Sequence, residues 1–143
     1  MATASPADLD DPAVHRAILE GMPESVILVD TSGTVRFWNR ASELLFGYTA
    51  AEAMGGSLDL IVPERFKAAH DSGFARAVAS GQLRVAGRVM RTRANHKDGR
   101  KVYVDFTFSL LKDTVGTVIG VYAVARDATE SHMKELAARG TGA

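Results

Sequence analysis

Lys101-Val102-Tyr103-Val104-Asp105-Phe106-Thr107-Phe108-Ser109-Leu110-Leu111 alternates along its length. Val102, Val104, Phe106, Phe108 and Leu110 fall on one side of an extended chain, and Tyr103, Asp105, Thr107 and Ser109 on the other. A strand of this period buries one face and leaves the other for solvent or a partner. Just upstream, Asn95-His96-Lys97-Asp98-Gly99 carries the Asp-Gly hairpin signal, so the run Arg84–Ala94 is expected to be the paired strand. Gly87 inside that run suggests a bulge or a close backbone approach. Downstream, Asp113–Thr117 reads as a turn and Val118–Arg126 as the last strand.

Two more strands lie near the N-terminus. Ser25–Asp30 and Val35–Trp38 flank the turn Thr31-Ser32-Gly33-Thr34 and read as a hairpin. Trp38 reads as strand packing. The middle of the chain is helical in short pieces. Asn39 is placed to cap Arg40–Phe46, which ends at Gly47. Thr49 is placed to cap Ala50–Met54, with Glu52 at the capping-box position. Ser57–Val62 is a brief apolar turn closed by Pro63, and a helix runs from there to about Ser80, stopping at Gly81. Asp11 and Pro12 start a helix whose narrow apolar face is Val14, Ala17, Ile18 and Gly21. Ala128–Ala138 reads as a terminal helix.

The expected architecture is an α+β domain: a five-stranded antiparallel sheet, short helices on one face and terminal helices flanking it. Residues 1–10 are expected to be flexible, 11–23 a flanking helix, 24–127 the domain, and 128–143 a helix stub with a frayed tail from Arg139. The helical insert lies between strands two and three, where it can cover the sheet and enclose a cavity.

Composition narrows the function. A chain of 143 residues, 46% hydrophobic and 24% charged, suits one domain with a real core. Seventeen basic and seventeen acidic side chains cancel, which argues against a dedicated nucleic-acid or anionic-membrane surface. The absence of cysteine excludes disulfides, thiolate metal sites, cysteine nucleophiles and cysteinyl-flavin photochemistry. No run is long enough to span a bilayer, and Met1–Asp10 lacks a signal peptide's features, so the default location is cytoplasmic. No Ser/His/Asp order, phosphate-cradling glycine loop or paired-carboxylate site stands out, so no enzyme is expected.

One residue stands apart. On a helix, residues 66, 69, 70, 73, 74 and 77 share a face, and they are Phe, Ala, His, Gly, Phe and Ala. An imidazole in a small, apolar stripe can be a metal or haem ligand, and it can equally be a core histidine with a hydrogen-bond partner. Asp59 and Glu64 nearby read as helix-end charges. His15, His96 and His132 are expected to face solvent.

The phrases Val29-Asp30-Thr31-Ser32-Gly33, Phe37-Trp38-Asn39-Arg40-Ala41, Leu45-Phe46-Gly47-Tyr48, Lys97-Asp98-Gly99 and Arg126-Asp127-Ala128-Thr129-Glu130 together resemble a PAS sensor domain over roughly residues 14–130. The run His70-Asp71-Ser72, with Arg76 after it, resembles the haem-binding subgroup found in bacterial oxygen sensors. That resemblance implies haem b, with His70 as proximal iron ligand. It implies Arg76 and Arg84 near the propionates, and Val85, Phe106 and Phe108 on the distal wall. Where related sensors carry a distal arginine, this sequence has Met90, which can be a sixth ligand or plain core. Arg88 can instead reach the distal space. The function implied is a sensor of oxygen, CO, NO or redox state, signalling to an output domain or partner. The alternatives are a haem-free module holding a small molecule or a non-covalent flavin, and a dimerisation module. A homodimer through residues 13–21 and the outer sheet face, including Tyr103, Val118, Tyr122 and Val124, is compatible with each.

Overall fold

The computed structural model describes residues 6–141. Five strands, β1 (Ser25–Asp30), β2 (Val35–Trp38), β3 (Met90–Asn95), β4 (Lys101–Lys112) and β5 (Val118–Asp127), form one antiparallel sheet in the order β2-β1-β5-β4-β3. The β4 alternation sets the two faces. Val102, Val104 and Phe106 are buried, and their cross-strand partners on β3 are Ala94, Thr92 and Met90. Directly opposed residues share a face, so the inner surface continues through Ala125 and Ala123 of β5 to Ile27 of β1.

Between β2 and β3 the chain forms α2 (Arg40–Phe46), α3 (Ala50–Ala53), two single 3₁₀ turns (Leu58–Leu60 and Glu64–Phe66) and α4 (Lys67–Ser80). These cover the inner face, as the position of the insert predicts. The caps are those expected from the sequence. Asn39 accepts from the Ser42 amide, and Thr49 and Glu52 form a reciprocal capping box. Asn39 is fully buried, and its Nδ2 also donates to the carbonyls of Leu19 and Glu24 at 2.8 and 3.0 Å. The Trp38 indole is buried, and its N–H donates to the Tyr48 carbonyl at 2.9 Å.

Four expectations need correction. Arg84–Val89 is not strand. It forms two consecutive turns, closed by Ala86 N–H to Leu83 O and Arg88 N–H to Val85 O. Gly87 takes φ +75°, outside the extended region, and pairing begins only at Met90. At the N-terminus, Pro6–Asp10 is a 3₁₀ turn rather than an unstructured lead-in, and residues 1–5 lie outside the described residues. The last helix, α5 (Thr129–Thr141), continues through Arg139, where a frayed tail was expected; residues 142–143 lie outside the described ones. Of the three histidines expected in solvent, only His15 is exposed. The His96 side chain keeps 11% of its surface accessible, and His132 stacks on Tyr103 with ring centroids 3.9 Å apart.

The terminal helices are the less buried parts. α1 (Pro12–Gly21) has no buried residue, and Ile18 and Leu19 on it are exposed. α5 lies against the outer face of β3 and β4. The Tyr103 amide donates to Thr129 Oγ1, the Ala128 amide donates to the Tyr103 carbonyl, and Arg91 reaches Glu135. Tyr103 is therefore covered by its own chain. Val118, Tyr122 and Val124 remain half-buried on β5.

Candidate cofactor cavity

Helix α4 touches the core through few side chains. Ala77 is buried and Phe74 packs half-buried against the core cluster. With only small residues around them, the helix stands off the sheet. A cavity of 1590 Å3 opens between α4, the Gln82–Arg88 segment and the inner face at Ile27, Phe108 and Ala123. Ligand pockets are commonly about 300–1,000 Å3, so the space exceeds what one small molecule needs. The six-residue stripe read from the sequence is only partly realised. Five of its members, Ala69, His70, Gly73, Phe74 and Ala77, line the cavity. Phe66 is exposed instead, with the Arg65 guanidinium 4.6 Å from its ring centroid.

The residues at the cavity fit a haem. His70 Nδ1 is shut from solvent and has no hydrogen-bond partner, while 32% of the side chain's surface stays open. A Cβ added at Gly73 would meet nothing within 4 Å beyond its own helix backbone, so there is room for a flat group beside the imidazole. Arg76, Arg84 and Arg88 line the same cavity, and none has a carboxylate ion-pair partner among the described residues. Guanidinium matches carboxylate geometry, and three unpaired guanidiniums on an apolar slot suit a group with two propionates. Val85 and Phe108 also line the cavity.

Two expected members are set apart from the lining. Phe106 lies in the buried core, stacked 5.3 Å from Phe108 and 6.5 Å from Phe46. Met90 is paired with Phe106 across β3 and β4 and does not line the cavity. Its side chain is on the inner face, but at the sheet's edge strand. A residue missing from the expected site is Asp59. It sits in the Leu58–Leu60 turn and, with His70 and Asp71, brings three donor atoms within 4.8 Å of one another. A lone aspartate eleven positions upstream gives no periodic signal of this, and only the fold of the insert brings it there. Lys67, one turn before Asp71, is held above its usual range, first by a hydrogen bond to Glu64 and further by the fields of Asp59 and Asp71.

An antiparallel sheet with one face under a helical insert, and a cavity between the two, defines a small α+β domain. The chain belongs to the PAS fold family, whose pattern matches residues 19–133. Among curated proteins it is similar to the oxygen sensor protein DosP of Escherichia coli, 29% identical over 111 residues, or 78% of this chain and 14% of that one. It is also similar to the sensor protein FixL of Bradyrhizobium diazoefficiens, 29% identical over 84 residues, or 59% of this chain and 17% of that one. The chain thus spans less than a fifth of either relative's length. Among solved structures, a PAS domain from Colwellia psychrerythraea has a TM-score of 0.71 at 21% identity, covering 84% of this chain and 99% of that one. An RNA-binding light-oxygen-voltage receptor has a TM-score of 0.70 at 20% identity, covering 99% of this chain and 41% of that one. No helix among the described residues is long and apolar enough to cross a membrane.

Proposed function

We propose that the chain is the haem-holding module of a cytoplasmic sensor for a diatomic gas or for redox state, with no catalysis of its own. One observation carries the reading: an imidazole with an unpartnered buried nitrogen and three unpaired arginines line a single large cavity. The likeness to a protein named as an oxygen sensor supports it. When bound, haem supplies an iron that takes up a gas or changes oxidation state. His70 holds the iron, and Arg76, Arg84 and Arg88 hold the propionates. Phe108 and Val85 keep water from the slot. A shift in the inner face of the sheet then alters the terminal helices, and with them an output domain or partner. The exposed apolar residues Ile18 and Leu19 of α1, with the open part of β5, form the surface for a second copy.

The test is an absorption spectrum of the protein purified with haemin supplied. A Soret band that is lost in His70→Ala supports the reading. A wild-type protein that takes up no haemin overturns it and favours a haem-free module for a flavin or another organic ligand. Arg84→Ala together with Arg88→Ala is expected to speed haemin transfer to a competing apoprotein while keeping the band.

A further inference from the structure

Strand β3 lies at one edge of the sheet, and its backbone bonds run alternately to the two sides. The His96 amide donates across the hairpin to the Arg100 carbonyl at 3.0 Å, while the Asn95 amide donates the other way, to the Ile61 carbonyl at 2.8 Å. Backbone groups two residues apart point to the same side of a strand, so the N–H and C=O of Arg91 and Arg93 also point away from β4. Among the described residues nothing bonds them there, and Ile61 closes the edge only at Asn95. The opposite edge strand, β2, is already covered. Its Val35 donates to the Gly56 carbonyl and accepts from the Gly55 amide, both at 2.8 Å.

The open stretch is basic. In a chain of zero net charge, residues 91–101 carry Arg91, Arg93, Lys97, Arg100 and Lys101 against Asp98 alone. Arg91 is engaged by Asp105 and Glu135, Lys97 by Glu52, and Arg100 by Asp98. Arg93 and Lys101 have no carboxylate partner among the described residues. Arg93 is paired with Tyr103 and Lys101 with Asn95, so the two cations are diagonal neighbours on the outer face. Arg93 Nε is closed to solvent and bonded to nothing, a costly state for a guanidinium that keeps its charge at every working pH. Beside the strand, the exposed Val89 and Leu136 line a groove of 500 Å3 between β3 and α5, with Arg139 on its wall. Two copies of this edge would set arginine against arginine, so like charge opposes self-pairing. We propose that the β3 edge takes up an extended acidic segment of a partner protein as an added strand. The backbone of that segment bonds Arg91 and Arg93, its alternate carboxylates meet Arg93 and Lys101, and an apolar side chain rests on Val89. No residue of β3 lines the cofactor cavity, so the surface stands apart from the haem reading.

The probes are two fluorescein-labelled peptides of equal length, one alternating valine with glutamate and one alternating valine with lysine. Each is titrated with the full chain by fluorescence anisotropy. The acidic peptide is expected to bind saturably and more weakly as salt rises, and the basic one not to bind. Amide exchange is expected to slow at Arg91 and Arg93 in the complex. In Arg93→Glu/Lys101→Glu, binding of the acidic peptide is expected to fall about tenfold or more, and the basic peptide to bind instead. Should that variant unfold, Arg93→Gln/Lys101→Gln is expected to weaken the acidic peptide in the same direction. No saturable binding of the acidic peptide, or protection that falls away from β3, overturns the proposal. Sedimentation showing a dimer in the wild type that is lost in Arg93→Glu/Lys101→Glu also overturns it, since the occupant is then a second copy. A single-stranded RNA that displaces the peptide and protects the same amides more strongly overturns it as well.

Discussion

Arg91 and Asp105 face each other across β3 and β4 and are joined by two parallel hydrogen bonds, of 2.8 and 3.1 Å. The same guanidinium reaches Glu135 of α5 at 2.9 Å. An edge strand is thereby tied to the C-terminal helix on the face opposite the cavity. Arg91→Ala leaves both carboxylates without their cation. It is expected to destabilise the fold slightly and to speed amide exchange over residues 129–138 more than elsewhere. Uniform exchange across the sheet and α5 would contradict this.

The same pair sets a pH dependence. The hydrogen bond from Arg91 holds the Asp105 carboxyl below the ordinary carboxylate range. A group lowered in the folded state contributes its stability in full above the unfolded value and loses it as pH falls through the folded value. Urea unfolding midpoints are therefore expected to drop on acidification, with a shallower drop in Asp105→Asn.

Asn39 joins three elements through one buried amide. Its Oδ1 accepts from the amides of Val26 and Ser42, and its Nδ2 donates to two carbonyls at the end of α1 and before β1. Asn39→Ala strands these groups at a site with no solvent access, and it is expected to cost about 3 kcal/mol in equilibrium unfolding. Asn39→Asp keeps the acceptor but sets a buried carboxylate oxygen against the Leu19 and Glu24 carbonyls, so at neutral pH it is expected to cost at least as much as Asn39→Ala.

Gly47 ends α2 at φ +82°, and a Cβ there would lie 2.4 Å from Cε1 of His96. Gly47→Ala is therefore expected to destabilise by more than about 1 kcal/mol. His96→Ala in that background is expected to recover part of the loss, because it removes the clash and leaves only the backbone strain. A double-mutant cycle with no coupling would rule out the contact.

Met90 packs beside Phe106 and outside the cavity lining. Met90→Ala is expected to cost about 1–2 kcal/mol of packing, less than a fully buried methionine would. The ferrous haem spectrum is expected to stay unchanged. A switch from six- to five-coordinate iron would make Met90 a ligand after all.

Local chemistry made most of the fold legible. The period of two in Lys101–Leu111, the Asp98-Gly99 turn, and the caps at Asn39 and Thr49 each act within a few residues, so each is written in adjacent letters. Arg84–Val89 misled because its residues suit a strand, while the backbone at Gly87 and the lack of a partner before Met90 do not. The small-residue face of α4 around His70 was readable because helical spacing is also local.

The sequence by itself determined the sheet, its two faces and a histidine on a small-residue helix, through periodicity and side-chain size. Tertiary structure alone decided which groups meet that histidine. Asp59 arrives from a separate turn, Arg84 and Arg88 from a non-strand segment, and Met90 is left at the sheet edge. Contacts between residues far apart in the chain depend on how the insert packs over the sheet, and no local pattern encodes that distance.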